Sequence, residues 1–132
     1  MKKYGLSASE RIKSRKEIEK IFAEGKAAYS SDNKIRVNYF LEKRTESPGV
    51  WFATAVSKKL GNAVWRNRVK RLIREAFRLN KLGLIESVST KKVSFKIILS
   101  PQYLNQAQNK YIFLKEIEPP VKEIIFKLQQ KI

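Results

Sequence analysis

Residues 50–80 read VWFATAVSKKLGNAVWRNRVKRLIREAFRLN. The opening VWFATAVS (50–57) is β-branched, aromatic or small, the composition of a buried strand. Gly61 and Asn62 then punctuate the chain. Beyond them the apolar period lengthens: Trp65, Val69, Leu72, Ile73 and Ala76 fall within an arc of about 100° on a helical wheel. A helix over about 62–80 is predicted. A strand running through a short turn into an amphipathic helix requires a sheet for that helix to cover, and this requirement organises the rest of the chain.

Upstream, Ser14-x-x-Glu17 offers a capping box, and Ile18, Ile21 and Phe22 follow at i, i+3, i+4 spacing. A helix at about 14–24 is expected, with Gly25 supplying a left-handed stop. KIRVNYFL (34–41) alternates Ile35, Val37, Tyr39 and Leu41 with Lys34, Arg36, Asn38 and Phe40, the period of a half-buried strand. RTESPG (44–49) is turn chemistry, so an antiparallel hairpin between this strand and 50–57 is the expected pairing. Downstream, KVSFKIILS (92–100) reads as a third strand ended by Pro101, placed to lie parallel to 50–57 across the helix. Pro119 and Pro120 suit the start of a final helix at about 120–131, where Val121, Ile124, Ile125 and Leu128 recur at helical spacing. Residues 102–118 fit helix and strand equally and receive no assignment. The order α-β-β-α-β-α implies an α+β, two-layer sandwich with a small, mostly antiparallel sheet, in one domain spanning 1–132.

The charge is abnormal. Lys and Arg number 29 against 12 Asp and Glu, a formal net charge of +17. Nine of those bases and only one acid, Glu75, lie in residues 58–81. Such an excess points to polyanionic partners, nucleic acid first and an anionic membrane surface second. The helix carries Asn67, Lys70, Arg71, Arg74 and Arg78 opposite its apolar stripe, with Arg66 and Arg68 at the margins. A merely solvated face would intersperse Glu at i±4, yet only Glu75 is placed to offset Arg71 or Arg78. A membrane-surface helix would need the apolar stripe that the sheet already claims. A helix-turn-helix DNA reader would need a partner helix where a strand precedes Gly61. Lys58 and Lys59, at a strand end, are free to meet phosphate. Phe22 and Phe40 are readable either as core or as stacking surfaces for unpaired bases.

The chain has no His, no Cys and a single Asp, Asp32. The commonest general base and the thiolate nucleophile are therefore missing, and a self-sufficient hydrolase is not expected. No apolar run approaches the roughly 18 residues of a membrane span, and MKKYGLSASERIKSRK (1–16) lacks the apolar core of a secretory signal. A cytoplasmic location fits.

AVSKKLGNAVWRNRVKRLIREAF (55–77) resembles the signature of the bacterial ribonuclease P protein subunit family, S-K-K-x-G-N-A-V followed by R-N-R-x-K-R-x-x-R. IEKIFAEG (18–25) extends the resemblance more loosely. It implies an α+β sandwich with a left-handed βαβ crossover, against the usual right-handed rule. It also implies a subunit that does not itself cleave RNA but binds a catalytic RNA one-to-one as a monomer. That RNA, with Mg²⁺ bound mainly by RNA and substrate, removes the 5′ leader of precursor tRNA to give the mature 5′ end. Neither DNA nor a membrane is an implied partner, and no metal site in the protein is implied.

Residue by residue, the resemblance places Arg66, Asn67, Arg68, Lys70, Arg71 and Arg74 at the catalytic RNA, and Lys58, Lys59, Asn62 and Arg78 are expected to bind RNA beside them. Phe22 and Ile18 fall in the leader cleft, and Arg11, Arg36 and Phe40 are assigned there with them. Ile18 stands where many members carry a second aromatic. The basic segment before the first helix is echoed by Arg11, Lys13, Arg15 and Lys16, and residues 102–118 are longer than usual. The alternative on residues alone is a ribosomal or general RNA-binding protein.

Overall fold

The computed structural model describes residues 11, 12 and 14–132; Lys13 lies outside them. Helix α1 spans Arg15–Glu24, strand β1 Lys26–Tyr29, β2 Ile35–Glu42 and β3 Gly49–Thr54. A single 3₁₀ turn at Lys58–Leu60 leads into α2, Ala63–Asn80, followed by α3, Leu82–Lys91, β4, Ser94–Pro101, and α4, Leu114–Gln129.

The sheet runs β1-β2-β4-β3. β4 pairs antiparallel with β2 and parallel with β3, so β3, the two helices and β4 form the expected βαβ crossover. The predicted hairpin between 34–41 and 50–57 does not form, because β4 lies between those strands. Its Ile97, Ile98 and Leu99 are all fully buried, which is the pattern of a central strand covered on both faces. The turn segment is tied to the start of β4 instead, through Thr45 N–H to the Lys92 carbonyl at 3.0 Å and Gly49 N–H to the Val93 carbonyl at 3.2 Å.

The two faces of the sheet are covered unequally. Ile35, Val37, Tyr39, Phe52, Phe95, Ile97 and Leu99 meet the apolar faces of α2, α3 and α4 in the main core. Phe52 stacks on Phe77 with ring centroids 4.2 Å apart. On the other face α1 and Ile12 ahead of it pack on the sheet, with Ile12, Ile21, Ala53 and Ile98 forming a smaller cluster. A ten-residue helix is about 15 Å long. Among the described residues it leaves part of that face uncovered, where Arg36 and Lys96 are half-buried while Asn38, Ser94 and Ser100 are buried.

Local signals explain most boundaries. Ser14 caps α1, its Oγ accepting from Glu17 N–H at 3.3 Å, but the reciprocal half of the expected capping box does not form, because the Glu17 carboxylate pairs with Lys96 Nζ. Gly25, however, has φ −77° and is not left-handed. Glycine is required there by space: a Cβ would lie 2.5 Å from the Ile21 carbonyl oxygen and 2.8 Å from that of Tyr39. The last helix also departs from expectation, starting at Leu114 with Pro119 and Pro120 inside it. Its start is set by Phe113 N–H donating to the Glu116 carboxylate at 3.0 Å. The prolines sit one to two turns in and forgo two intrahelical bonds near the end, while Pro120 gains burial against the core.

Candidate nucleic-acid interface

Helix α2 buries Trp65, Val69, Ile73, Ala76 and Phe77 and turns its basic residues outward. Asn67 and Arg71 are exposed, and Arg66, Arg68, Lys70, Arg74 and Arg78 are half-buried along the flanks. Lys58 and Lys59 are exposed on the 3₁₀ turn just ahead of it. Asn62 is the N-cap: its Oδ1 accepts from Trp65 N–H at 2.9 Å. It therefore has a structural task at the position where the family pattern requires it.

Two arginines are held by backbone carbonyls. Arg66 Nε donates to Gly61 O at 3.0 Å, and Arg68 Nε donates to Ile112 O at 2.9 Å. Each side chain is thereby aimed, with its Nη groups making no hydrogen bond to a described residue. Glu75 pairs with Arg78 rather than Arg71, and this hydrogen bond holds the Glu75 carboxyl below its ordinary range. The Arg74 guanidinium is pushed below its ordinary value, first by partial burial and then by the positive charges of Arg11 and Arg71. Arg11 reaches this cluster because Arg11 and Ile12 run beside β3, with Ile12 N–H donating to Phe52 O at 2.9 Å. So Arg11, assigned by resemblance to the leader cleft, sits within electrostatic reach of the basic helix.

On the open face of the sheet, Phe22, Arg36, Ser57, Leu60, Ser100 and Pro101 line a groove of about 280 Å³ together with Ala55 and Val56. Phe22 is 39% exposed. Arg36 and Ser100 are directly paired across β2 and β4. Arg36 Nε, Ser100 Oγ and the nearby Asn38 Oδ1 are buried with no hydrogen-bond partner. Buried polar atoms without partners are costly, and three together on one face give it hydrogen-bonding capacity that the described residues do not use. Arg36 retains one contact, Nη1 to Gln102 Oε1 at 3.3 Å. Ile18 is half-buried in the small cluster beneath α1. Phe40, four residues along β2 from Arg36, lines separate cavities at the other end of that face with Lys20, Glu24, Lys43 and Lys96. The structure thus joins Phe22 to Arg36 and keeps Phe40 apart from both.

Sequence reasoning missed residues 102–113, which wrap the start of α2. Gln106 Oε1 accepts from Asn62 N–H at 2.8 Å, and Gln106 N–H donates to Leu60 O at 2.7 Å. Trp65 Nε1 donates to Asn109 O at 2.9 Å. This irregular segment has no apolar period, so no pattern could announce its role. Among the described residues no three His, Cys, Asp or Glu side chains converge to hold a metal ion. No helix among them is long and apolar enough to cross a membrane.

Known proteins with the same features are specific. The Syntrophus aciditrophicus ribonuclease P protein component is 46% identical over 81 residues, covering 61% of this chain and 64% of that protein. The Porphyromonas gingivalis ribonuclease P protein component is 44% identical over 91 residues, 68% of this chain and 65% of that one. This chain thus spans about two thirds of the length of these relatives. In structure, the RNase P protein of Thermotoga maritima superposes with a TM-score of 0.65 at 25% identity, over 93% of this chain and 97% of that one. The RNase P protein of Staphylococcus aureus gives 0.63 at 26%, over 90% and 94%. The Ribonuclease P family pattern matches residues 6–118. With the family pattern spanning most of the chain and a relative 44% identical over 68% of it, the chain is a member of the ribonuclease P protein family.

Proposed function

We propose that the chain is a single RNA-binding domain acting as the protein subunit of a cytoplasmic ribonuclease P, binding a catalytic RNA and the 5′ leader of precursor tRNA. The observation that carries this reading is the basic face of α2, where Asn67 and Arg71 are exposed, Arg66 and Arg68 are aimed by the Gly61 and Ile112 carbonyls, and Arg74 lies among the positive charges of Arg11 and Arg71. Such a cluster is stable in the company of phosphate. Lys58, Lys59, Arg66, Asn67, Arg68, Lys70 and Arg78 extend the same face toward the RNA. The groove under Phe22 suits the leader: a half-exposed ring for a base, and Arg36 Nε and Ser100 Oγ for the polar atoms of a single strand. The chain has no His and no Cys, and the contribution proposed for it is neutralisation and positioning. Cation density beside the reaction lowers the Mg²⁺ that RNA and substrate must recruit.

The test is cleavage of precursor tRNA at low Mg²⁺ and physiological monovalent salt, with catalytic RNA alone, protein alone, both, and both with mature tRNA as competitor. Cleavage by the combination only, with leader-bearing substrate outcompeting mature tRNA, is expected. Protein that fails to help the RNA would return the chain to a ribosomal or general RNA-binding role. Phe22→Ala and Arg36→Ala should each narrow the preference for leader-bearing substrate while leaving affinity for the catalytic RNA unchanged.

A further inference from the structure

Residues 110–115, KYIFLK, carry a surface that the basic helix does not account for. Ile112 is fully buried while its neighbours Tyr111 and Phe113 are 75% and 50% exposed. This is the alternation of an extended segment, and Phe113 has extended backbone angles (φ −125°, ψ 161°). Two large rings are therefore turned to solvent by the same residue that anchors the segment. Each ring has a cation over it: Lys110 Nζ is 5.5 Å from the Tyr111 centroid, the Arg68 guanidinium carbon 5.5 Å from that of Phe113, and Lys115 Nζ 6.0 Å from Phe113 on α4. Arg68 belongs to α2 and is fixed by Ile112 O, so the aromatic pair is continuous with the basic face.

We propose that Tyr111 and Phe113, with Lys110, Arg68 and Lys115 around them, form a stacking platform for an unpaired base of the RNA that α2 holds. The inference rests on the reading of α2 as an RNA-binding helix. Exposed rings ringed by cations are costly surface for a soluble protein but suited to a nucleotide, whose base covers the ring while its phosphate meets the ammonium and guanidinium groups. A protein partner for an apolar patch would gain little from three positive charges at its rim that no carboxylate among the described residues offsets.

The experiment measures binding of the full chain to fluorescein-labelled catalytic RNA from the same genome, over a range of salt concentrations. The double variant Tyr111→Leu/Phe113→Leu keeps apolar bulk and removes both π faces. Tyr111→Phe keeps the ring, and Arg71→Ala/Arg74→Ala reports on α2 itself. The double variant should bind about 5- to 150-fold more weakly per stacked base lost, with an unchanged salt slope. Tyr111→Phe should bind as the parent does. The α2 variant should bind more weakly with a shallower slope. Parent-like binding by the double variant, with weakened binding by the α2 variant, would overturn the platform and leave α2 as the RNA contact. Parent-like binding by both would overturn both readings. Concentration-dependent self-association of the parent in sedimentation, abolished in the double variant, would assign the rings to a protein interface and also overturn the proposal. Matching circular-dichroism melts of parent and variants exclude misfolding as the cause.

Discussion

Gln106 accepts the N–H of Asn62, 44 residues earlier in the chain, at 2.8 Å, while Asn62 in turn caps α2 through Trp65 N–H at 2.9 Å. The start of the basic helix is thus capped by a residue that is itself held in place. A hinge at this point would swing the arginines of α2 relative to the sheet, and this relay removes it. Asn62→Ala should lower stability by about 1 kcal/mol, the usual cost of losing such a cap. Gln106→Ala should cost about 0.5–1.5 kcal/mol for an uncharged hydrogen bond. Denaturant titration reads both. Because the two residues share one network, the double variant should cost less than the sum of the singles, and an additive result would show that the relay does not operate.

Gly25 and Gly83 should respond oppositely to alanine. Gly25 sits where α1 passes directly into β1, and Lys26 is already paired with Tyr39. The two carbonyl oxygens that a Cβ would strike are backbone atoms of α1 and β2, which cannot step aside cheaply. Gly25→Ala should destabilise the protein by about 1–3 kcal/mol, the range for forced overpacking. At Gly83, inside α3, the nearest atoms are the far end of Gln129, with Nε2 at 3.2 Å. That side chain can move, and Gly83→Ala should gain about 0.5–1 kcal/mol from helix propensity. Thermal melts of the two variants should shift in opposite directions.

These contrasts show where sequence reading reaches and where it stops. The strand–turn–helix of residues 50–80, the cap at Ser14 and most of the core face of α2 were legible because each rests on local periodicity or local hydrogen bonding, although Leu72 is only half-buried and Phe77 takes a core place the stripe did not include. The pairing of β2 with β4 was not legible, since the turn-rich residues 44–49 look the same whether or not the flanking strands are neighbours. What decides it is the apolar run Ile97–Ile98–Leu99, buried on both faces, and that is a property of the whole sheet. β1 was missed because four residues, KAAY, are too few to show a period, and α3 because Gly83, Ser87 and Ser89 dilute its pattern. The basic set was legible as charge. The groove was only partly so: Phe22 and Arg36 could be named, but Ser100 and Asn38 enter through strand register alone.

Arg74 provides a case in which stability and binding should separate. Partial burial and the charges of Arg11 and Arg71 both disfavour its protonated form, so in the free protein this guanidinium is a repulsive element. Arg74→Ala should therefore leave the melting temperature of the free chain unchanged or raise it. The same substitution should weaken catalytic-RNA binding about 5- to 150-fold, the range for one charge-assisted contact, and reduce the salt slope by about 0.7–0.9. Adding a polyanion such as heparin should raise the melting temperature of the parent more than that of the variant, because ligands stabilise the state that binds them. Loss of free-protein stability in Arg74→Ala would show that its aliphatic stem contributes more to packing than its charge costs.

Acid should loosen the contact between α4 and the β1–β2 turn before it reaches the core. Glu123 accepts from Ser31 N–H at 2.9 Å and Ser31 Oγ at 2.9 Å, and pairs with Lys127 Nζ at 3.1 Å. Lys127 Nζ also donates to Tyr29 O at 2.7 Å. Burial on its own would raise the Glu123 carboxyl, but the hydrogen bonds from Lys127 and Ser31 together outweigh it and hold the group below its ordinary 4.5. The folded state therefore binds this proton less readily than the unfolded chain. The stabilisation is complete above about pH 4.5 and is lost as pH falls through the depressed folded value. Asp32, held low in the same turn by Ser30 and Lys34 against the opposing effect of burial, changes in the same direction. Glu123→Gln should thus be less stable than the parent at neutral pH, and the gap should close as pH is lowered below 4.5. Urea midpoints for both proteins across pH 3 to 7 would read this directly, and a gap that stayed constant over that range would show that Glu123 contributes through shape rather than charge.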